Sequence, residues 1–313
     1  ASPGTNHASL RLPLKSMLCR RLRRGVNSTM ITTLSNVALE EIHDAFIDAF
    51  SEYEVKLDMP IEKLNEMMIT RSYSKDDSIG YFKDNKLIGF ILIGLREIDN
   101  KKVYYDVATG VRKGNQGEGI GDALLKEIPK IMKDKKIDRF VLEVLENNIA
   151  AQNLYKKYGF VVTRRLKCYE YMISKEKRKR IEIKEENISV VSNLSIKSYC
   201  TFDPSWQNSL TSYLNSKENY SIYYLENEHK LEGYGIVHKK NGSLLQIGID
   251  PEKRTTSVLS KIVEGLCKYT DSTKLKYLNV EDGSEVESLL VSIGFSNFIN
   301  QFEMEYKIER EST

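Results

Sequence analysis

Cysteine and histidine are scarce, four of each in 313 residues, and neither clusters. Cys19, Cys168, Cys200 and Cys267 never form a C-x-x-C pair, which fits a reducing compartment and leaves no ligand set for structural zinc. His7, His43, His229 and His238 lie equally far apart, so local spacing writes neither a metal site nor a histidine-based triad. Long apolar runs are missing too: none approaches the roughly 18 residues that a membrane-crossing helix requires. Net charge is only +3, with 29% of residues charged, which argues against a general nucleic-acid-binding surface. No acidic residue precedes Glu40, whereas Arg11, Lys15, Arg20, Arg21, Arg23 and Arg24 crowd the start of the chain. Residues 1–29 therefore read as a leader or a vector-derived segment ahead of a start at Met30. What is left is the composition of a cytoplasmic globular protein, with no metal, nucleic acid or membrane expected as partner.

A chain of this length is long for one core and suits two, since domains run to ~100–150 residues. A short strand is expected over Met30 to Leu34. Leu39, Ile42, Phe46 and Phe50, then Ile61, Leu64, Met67 and Met68 behind Pro60, recur at helical spacing. Three β-like runs follow, Ser78 to Phe82, Leu87 to Leu95 and Val103 to Val111, with turns at Lys83-Asp-Asn-Lys86 and Asp99-Asn100. That is an antiparallel meander. Next come a helix marked by Ile120, Leu124, Leu125, Ile128 and Ile131, a buried strand from Phe140 to Leu145, a helix from Ala150 to Tyr158, and a last strand. The basic stretch Ser174 to Arg180, SKEKRKR, has no apolar residue and reads as a solvated linker.

Beyond the linker the pattern returns. Leu231 to Val237 and Leu244 to Ile249 read as paired strands, Val258 to Leu266 as a helix, Leu275 to Val280 as a strand, and Val286 to Ile293 as a helix. A final strand follows Gly294-Phe295, just as one follows Gly159-Phe160. The chain reads as a tandem duplication. Its expected parts are the segment 1–29, a catalytic domain over 30–174, a charged linker over 175–180, and a degenerate second copy over 181–313.

Gly117, Gly119 and Gly121 stand at alternate positions in VRKGNQGEGIGD, Val111 to Asp122, between a β-like run and a helix-like one. A helix starting there leaves its first amide N–H groups without intrahelical partners, and the dipole adds to their pull on an anion. Glycine lets phosphate approach without a Cβ in the way. A tight strand-to-helix turn explains the glycines equally well. The pattern Gln116-Gly117-Glu118-Gly119-Ile120-Gly121, however, resembles the Q/R-x-x-G-x-G/A acyl-CoA signature of the GNAT acyltransferase superfamily. Downstream, EVLENNIAAQNLYKKYGF, Glu143 to Phe160, resembles that family's second signature.

The resemblance spans about residues 30–174 and implies an α+β fold: a mixed, mostly antiparallel central sheet flanked by helices, here present twice in tandem. It implies acetyl-CoA as cosubstrate, held at Gln116, Gly117, Glu118, Gly119, Ile120 and Gly121, with the Val111 backbone along the acyl chain and Asn148 beside the pantetheine arm. Tyr155 falls beside the thioester sulfur, as the acid for the departing thiolate. Glu118 puts a negative charge next to the phosphate seat, where it either turns to solvent or weakens CoA binding. A dinucleotide site is the competing reading, but its G-x-G-x-x-G spacing is not met and the preceding strands form a meander.

The family carries no fixed general base. Asp106 and Tyr105, on the strand before the loop, are the candidates for drawing a proton from the amine, and strand alternation puts them on opposite faces. Cys168 lacks a histidine partner and reads as buried structure. The expected activity is direct transfer of an acetyl group to an amine on a small molecule or peptide; the alternative is a non-catalytic acyl-CoA-binding module. Aligning the halves by loop and by Gly-Phe ending puts Ser257, Leu259, Gly283 and Leu290 opposite Gly119, Gly121, Asn148 and Tyr155. One acyl-CoA per chain is expected, bound in the first half.

Overall fold

The computed structural model of the chain describes residues 28–51, 59–174 and 194–308. The basic leader, Cys19, His7 and the linker at 175–180 lie outside them. The first half runs β1 (Thr29–Thr33), α1 (Leu39–Ala49), α2 (Ile61–Thr70), β2 (Ile79–Lys83), β3 (Lys86–Ile98), β4 (Lys101–Val111), α3 (Ile120–Lys135), β5 (Arg139–Leu145), α4 (Ile149–Lys157) and β6 (Val161–Met172). The second half supplies α5 (Leu210–Asn215), β7 (Tyr220–Asn227), β8 (Lys230–His238), β9 (Ser243–Ile249), α6 (Thr256–Leu266), β10 (Lys274–Glu281), α7 (Glu285–Ser292) and β11 (Ser296–Lys307). No described helix is long and apolar enough to cross a membrane.

Local chemistry accounts for the meander. The β2–β3 hairpin turns on Asp84-Asn85 and the β3–β4 hairpin on Asp99-Asn100, each pair at positive φ of 51–65°. Such two-residue turns twist with the strands, and Asp and Asn tolerate the left-handed region better than other side chains. β3 reads KLIGFILIGLREI and is buried along most of its length, as a central strand must be.

All eleven strands among the described residues join one sheet, in the order β1-β2-β3-β4-β5-β11-β6-β10-β9-β8-β7. Among the described strands, only β4–β5 and β9–β10 pair in parallel. The two halves exchange their last strands: β11 lies between β5 and β6, while β6 pairs on its other edge with β10. Each half of the sheet therefore contains a strand from the other half of the sequence.

Helices α3 and α4 cover one face of the first half, where Ile120, Leu124, Ile128 and Tyr155 pack on Tyr104, Phe140 and Leu142. Helices α1 and α2 cover the other, where Phe46, Leu64 and Met68 meet Val103, Tyr105 and Val107. Trp206, from the second half, completes that second cluster.

Arg96 ties this junction together. It is 7% exposed, yet all five of its N–H groups are satisfied. Nε donates to Ser72 Oγ at 2.9 Å, one terminal nitrogen to Trp206 O and Ser209 Oγ at 2.8 Å each, and the other to Thr70 O and Ser212 Oγ at 2.9 and 2.8 Å. The guanidinium also lies 4.1 Å over the Trp206 ring. Burial pulls its pKa down to about 10, so the charge survives at neutral pH. A lysine has three donors and no planar fork, and would leave buried acceptors unmet. Arg96→Lys is expected to lower unfolding free energy by about 3 kcal/mol, whereas Lys102→Ala on the exposed hairpin should stay within about 0.5 kcal/mol. Urea midpoints decide this, and equal midpoints would remove Arg96 from its role.

Candidate active site

Three glycines of the loop between β4 and α3 require their freedom: Gly114, Gly117 and Gly119 have φ of +86, +81 and +79°, and a Cβ at any of them would meet nothing within 4 Å. Gly119 is the N-cap of α3, no side chain caps the helix there, and the space where a Gly119 Cβ would stand is open. Gly121 serves packing as well. Its missing Cβ would stand 3.2 Å from Leu154 of α4, so the bare backbone there lets two helices approach rather than only admitting a ligand. Ile120 seats on β3 in the same way, over Gly89, where a Cβ would come within 2.6 Å of it.

The side chains of the loop have partners of their own. Glu118 accepts from Asn115 Nδ2 at 3.2 Å and pairs with Lys83 at 3.5 Å, so its charge is drawn toward β2. Gln116 Nε2 donates to Val111 O at 3.3 Å, closing the loop onto the end of β4. Asp122 pairs with Lys157 of α4.

β4 and β5 pair at Val103–Arg139, Tyr104–Phe140 and Tyr105–Val141, and then part. β4 runs on to Val111 and β5 to Leu145, leaving a splay that opens toward the glycine loop. Asp106 is the first residue beyond the last pair. It lies at a bulge, since Ile93 pairs with Asp106 and Leu92 with Ala108, leaving Val107 unmatched; bulges re-aim side chains in this way.

Asp106 and Tyr155 come together there. Tyr155 OH donates to Asp106 Oδ2 at 3.0 Å, and Thr109 Oγ1 donates to the same oxygen at 2.7 Å. Asp106 Oδ1 is sealed from solvent with no hydrogen-bond partner among the described residues. Burial pushes the carboxyl up to about 6, against the lowering pull of Thr109, Tyr155 and Arg71. Asn148 is the N-cap of α4, its Oδ1 accepting from Ala151 N at 3.1 Å, which places it where β5 ends beside the splay.

Tyr105 faces the other way and differs from the expectation. It is 2% exposed, stacks on Trp206 with centroids 5.0 Å apart and planes 6° from parallel, and donates its hydroxyl proton to Glu143. Burial and the Glu143 charge hold its pKa well above the usual value, so it stays a donor and cannot be the proton acceptor.

Glu143 is the acid that sequence reasoning passed over. It stands two residues past Val141 on β5, on the face opposite Asp106, and keeps part of its surface open. Burial raises its carboxyl to about 7, with Glu303 adding to the rise and Tyr105, Arg71 and Arg164 opposing it. A signal existed: a lone acid inside the apolar run FVLEVL. Asn279 of β10 donates to Glu143 Oε1 at 3.2 Å, a contact that no local pattern could reveal.

The second half lacks this arrangement. By helix start, Thr255 rather than Ser257 stands where Gly119 does, and its side chain caps α6 by accepting from Val258 N at 3.3 Å. Arg254 is engaged by Glu285 and Ser198 O, each at 2.8 Å. β9 and β10 also part, after Leu244–Tyr277, but the buried Tyr277 hydroxyl reaches across and accepts from Ile247 N at 3.3 Å. Leu290 is fully buried in apolar surroundings. Cys168 is buried, and desolvation pushes its thiol up to about 11, which makes it a poor nucleophile.

The acetyltransferase (GNAT) family model matches residues 39–160. The probable spermine N(1)-acetyltransferase of Bacillus subtilis subsp. natto (strain BEST195) is 34% identical over 88 residues, which is 26% of this chain and 57% of that protein. The spermine/spermidine N(1)-acetyltransferase of Bacillus subtilis (strain 168) is 33% identical over the same length. The chain thus spans just over half the length of the curated relatives it matches. A putative acetyltransferase from Pyrococcus horikoshii shares the fold with a TM-score of 0.62 at 19% identity, covering 92% of this chain and 93% of that one. A tandem GNAT protein from the clavulanic acid biosynthesis pathway does so with a TM-score of 0.63 at 12% identity, covering 91% and 100%. The chain therefore carries a GNAT-family acetyltransferase domain at residues 39–160, within a tandem GNAT-like fold.

Proposed function

We propose that this protein transfers an acetyl group from acetyl-CoA directly to an amine, at a single site in the domain spanning residues 30–174. The observation that carries the reading is the continuity of the uncapped α3 N-terminus with the β4–β5 splay, in which Asp106 and Tyr155 meet. The α3 amides and the loop of Gly117 and Gly119 would hold the pyrophosphate. The pantetheine arm would run past Asn148 into the splay.

An amine must be neutral to attack. For an amine of pKa ~10.4, losing the proton at pH 7 costs ~4.6 kcal/mol, so an acceptor titrating near neutrality is useful. Glu143, at about 7, meets that need on the face away from α3 and α4. Glu143 takes the proton that frees the amine, the N–C bond forms as the C–S bond breaks, the thiolate takes a proton from Tyr155, and the proton then shed by the new amide nitrogen returns to Tyr155. A phenol of ordinary pKa ~10 facing a thiol of ~8.5 gives that proton without a large mismatch. Asp106 holds the Tyr155 hydroxyl in place beforehand. Polyamines are the first acceptors to assay, since the curated relatives are named for spermine and spermidine.

Gly119→Glu adds bulk and negative charge at the anion seat and a side chain at positive φ. It should abolish acetyl-CoA binding, which in the parent protein should titrate calorimetrically to one molecule per chain; two equivalent sites would refute the single-site reading. Tyr155→Phe should lower kcat by ~10²–10⁴-fold while leaving the acetyl-CoA Kd in place. Release of free CoA thiol across a panel of amines is the primary assay. Tight binding with no thiol release from any amine would mark a binding module instead.

A further inference from the structure

We propose that Asn279, in the second half of the chain, is a positioning residue of the active site: it holds the Glu143 carboxylate in the orientation and ionisation state that receive the amine proton. The inference rests on the transferase reading above.

Asn279 is fully buried and sits at φ +59° within a strand. β10 bulges there, because Tyr277 pairs with Tyr169 and Val280 with Lys167, leaving Leu278 and Asn279 against Cys168 alone. A left-handed residue inside a strand is strained, and among side chains asparagine bears it best. The bulge turns the Asn279 amide toward β5. Its Nδ2 donates to Glu143 Oε1 at 3.2 Å and to Ser205 Oγ at 2.9 Å, while Oδ1 accepts from Gln301 Nε2. Gln301 is in place because β11 lies against β5, where it pairs with Leu145. An ionised carboxylate only accepts, so this chain of donors has one direction, from Gln301 through Asn279 to Glu143.

The other groups around Glu143 pull both ways. Tyr105 of β4 donates to Oε2, Arg71 after α2 and Arg164 of β6 are cationic, and Glu303 of β11 opposes ionisation, while the Cys168 thiol of β6 stays neutral, raised in part by the Glu143 charge. Arg164 is already committed to Glu303, at 2.8 and 2.9 Å, and to Glu281 at 3.0 Å. Asn279 and Tyr105 are therefore the donors that can be removed without deleting a charge, and Asn279 is the one that the second half supplies. Losing it favours the protonated acid, which cannot take a proton from the amine.

The test uses Asn279→Gly, which accepts the positive φ without strain, and Asn279→Asp, which keeps the shape but replaces the donor with a second anion. In each, the ascending limb of the kcat/KM–pH profile should move to higher pH, by about one unit for glycine and further for aspartate, with activity recovering above the limb. The acid's own titration is read separately, by infrared difference spectra against Glu143→Gln in the absence of any acceptor. A matching alkaline shift there supports the assignment even if no amine is acetylated, in which case it is the transferase reading that fails. Variants that fold and bind acetyl-CoA but leave both the limb and the carboxyl titration unmoved would overturn the proposal.

Discussion

The parting of β4 and β5 after the Tyr105–Val141 pair is the constraint on which the rest depends. Two parallel strands that stop pairing leave backbone N–H and C=O groups facing a gap, and such groups are costly unless water or a ligand meets them. The gap does not fray, because each strand is held on its outer edge. β4 pairs with β3 as far as Val111, and β5 pairs with β11 from Arg139 to Leu145. A crevice framed in this way keeps a fixed width. Side-chain alternation then delivers Asp106 to one face and Glu143 to the other, so two half-buried acids share one opening without facing each other.

The second half is no idle copy. Its own crevice is spanned by Tyr277 and its α6 terminus is capped by Thr255, yet it supplies Trp206 against Tyr105 and Asn279 against Glu143. Arg96 explains why these contacts hold their register. Four of its five acceptors belong to Thr70, Trp206, Ser209 and Ser212, so one guanidinium fixes the 206–212 segment against the end of α2. Such a buried cation is costly if any acceptor shifts, which makes the junction more specific than an apolar contact of the same area.

Much of this was legible in the sequence because it is local. The Asp-Asn hairpins, the two helices after β1, the glycine loop and the repeated strand-helix-strand-helix-strand pattern all depend on neighbours within a few residues. β7 escaped, since its turn to β8 is Glu228-His229, which lacks the usual turn chemistry although it adopts the same positive φ. Glu118 illustrates another limit. Position beside an anion seat left open whether its charge turns to solvent or weakens binding, and its side chain is held by Asn115 nearby and by Lys83, distant in sequence. The Glu143 partners and the strand exchange were invisible for the same reason: a hydrogen bond between residues 136 apart leaves no periodicity to read.

The strand exchange also has a consequence for how the protein is made. Ribosomes release a chain from its N-terminus at ~5–20 residues per second, and domains generally fold as they emerge. Here β5 waits for a neighbour that begins roughly 150 residues later, and β6 waits for β10. The first half can assemble its meander and both helical layers early, but one wall of its crevice stays unpaired until the last strand leaves the tunnel. The crevice is therefore framed on both sides only once β11 has emerged, and a message truncated before β11 leaves β5 with an open edge.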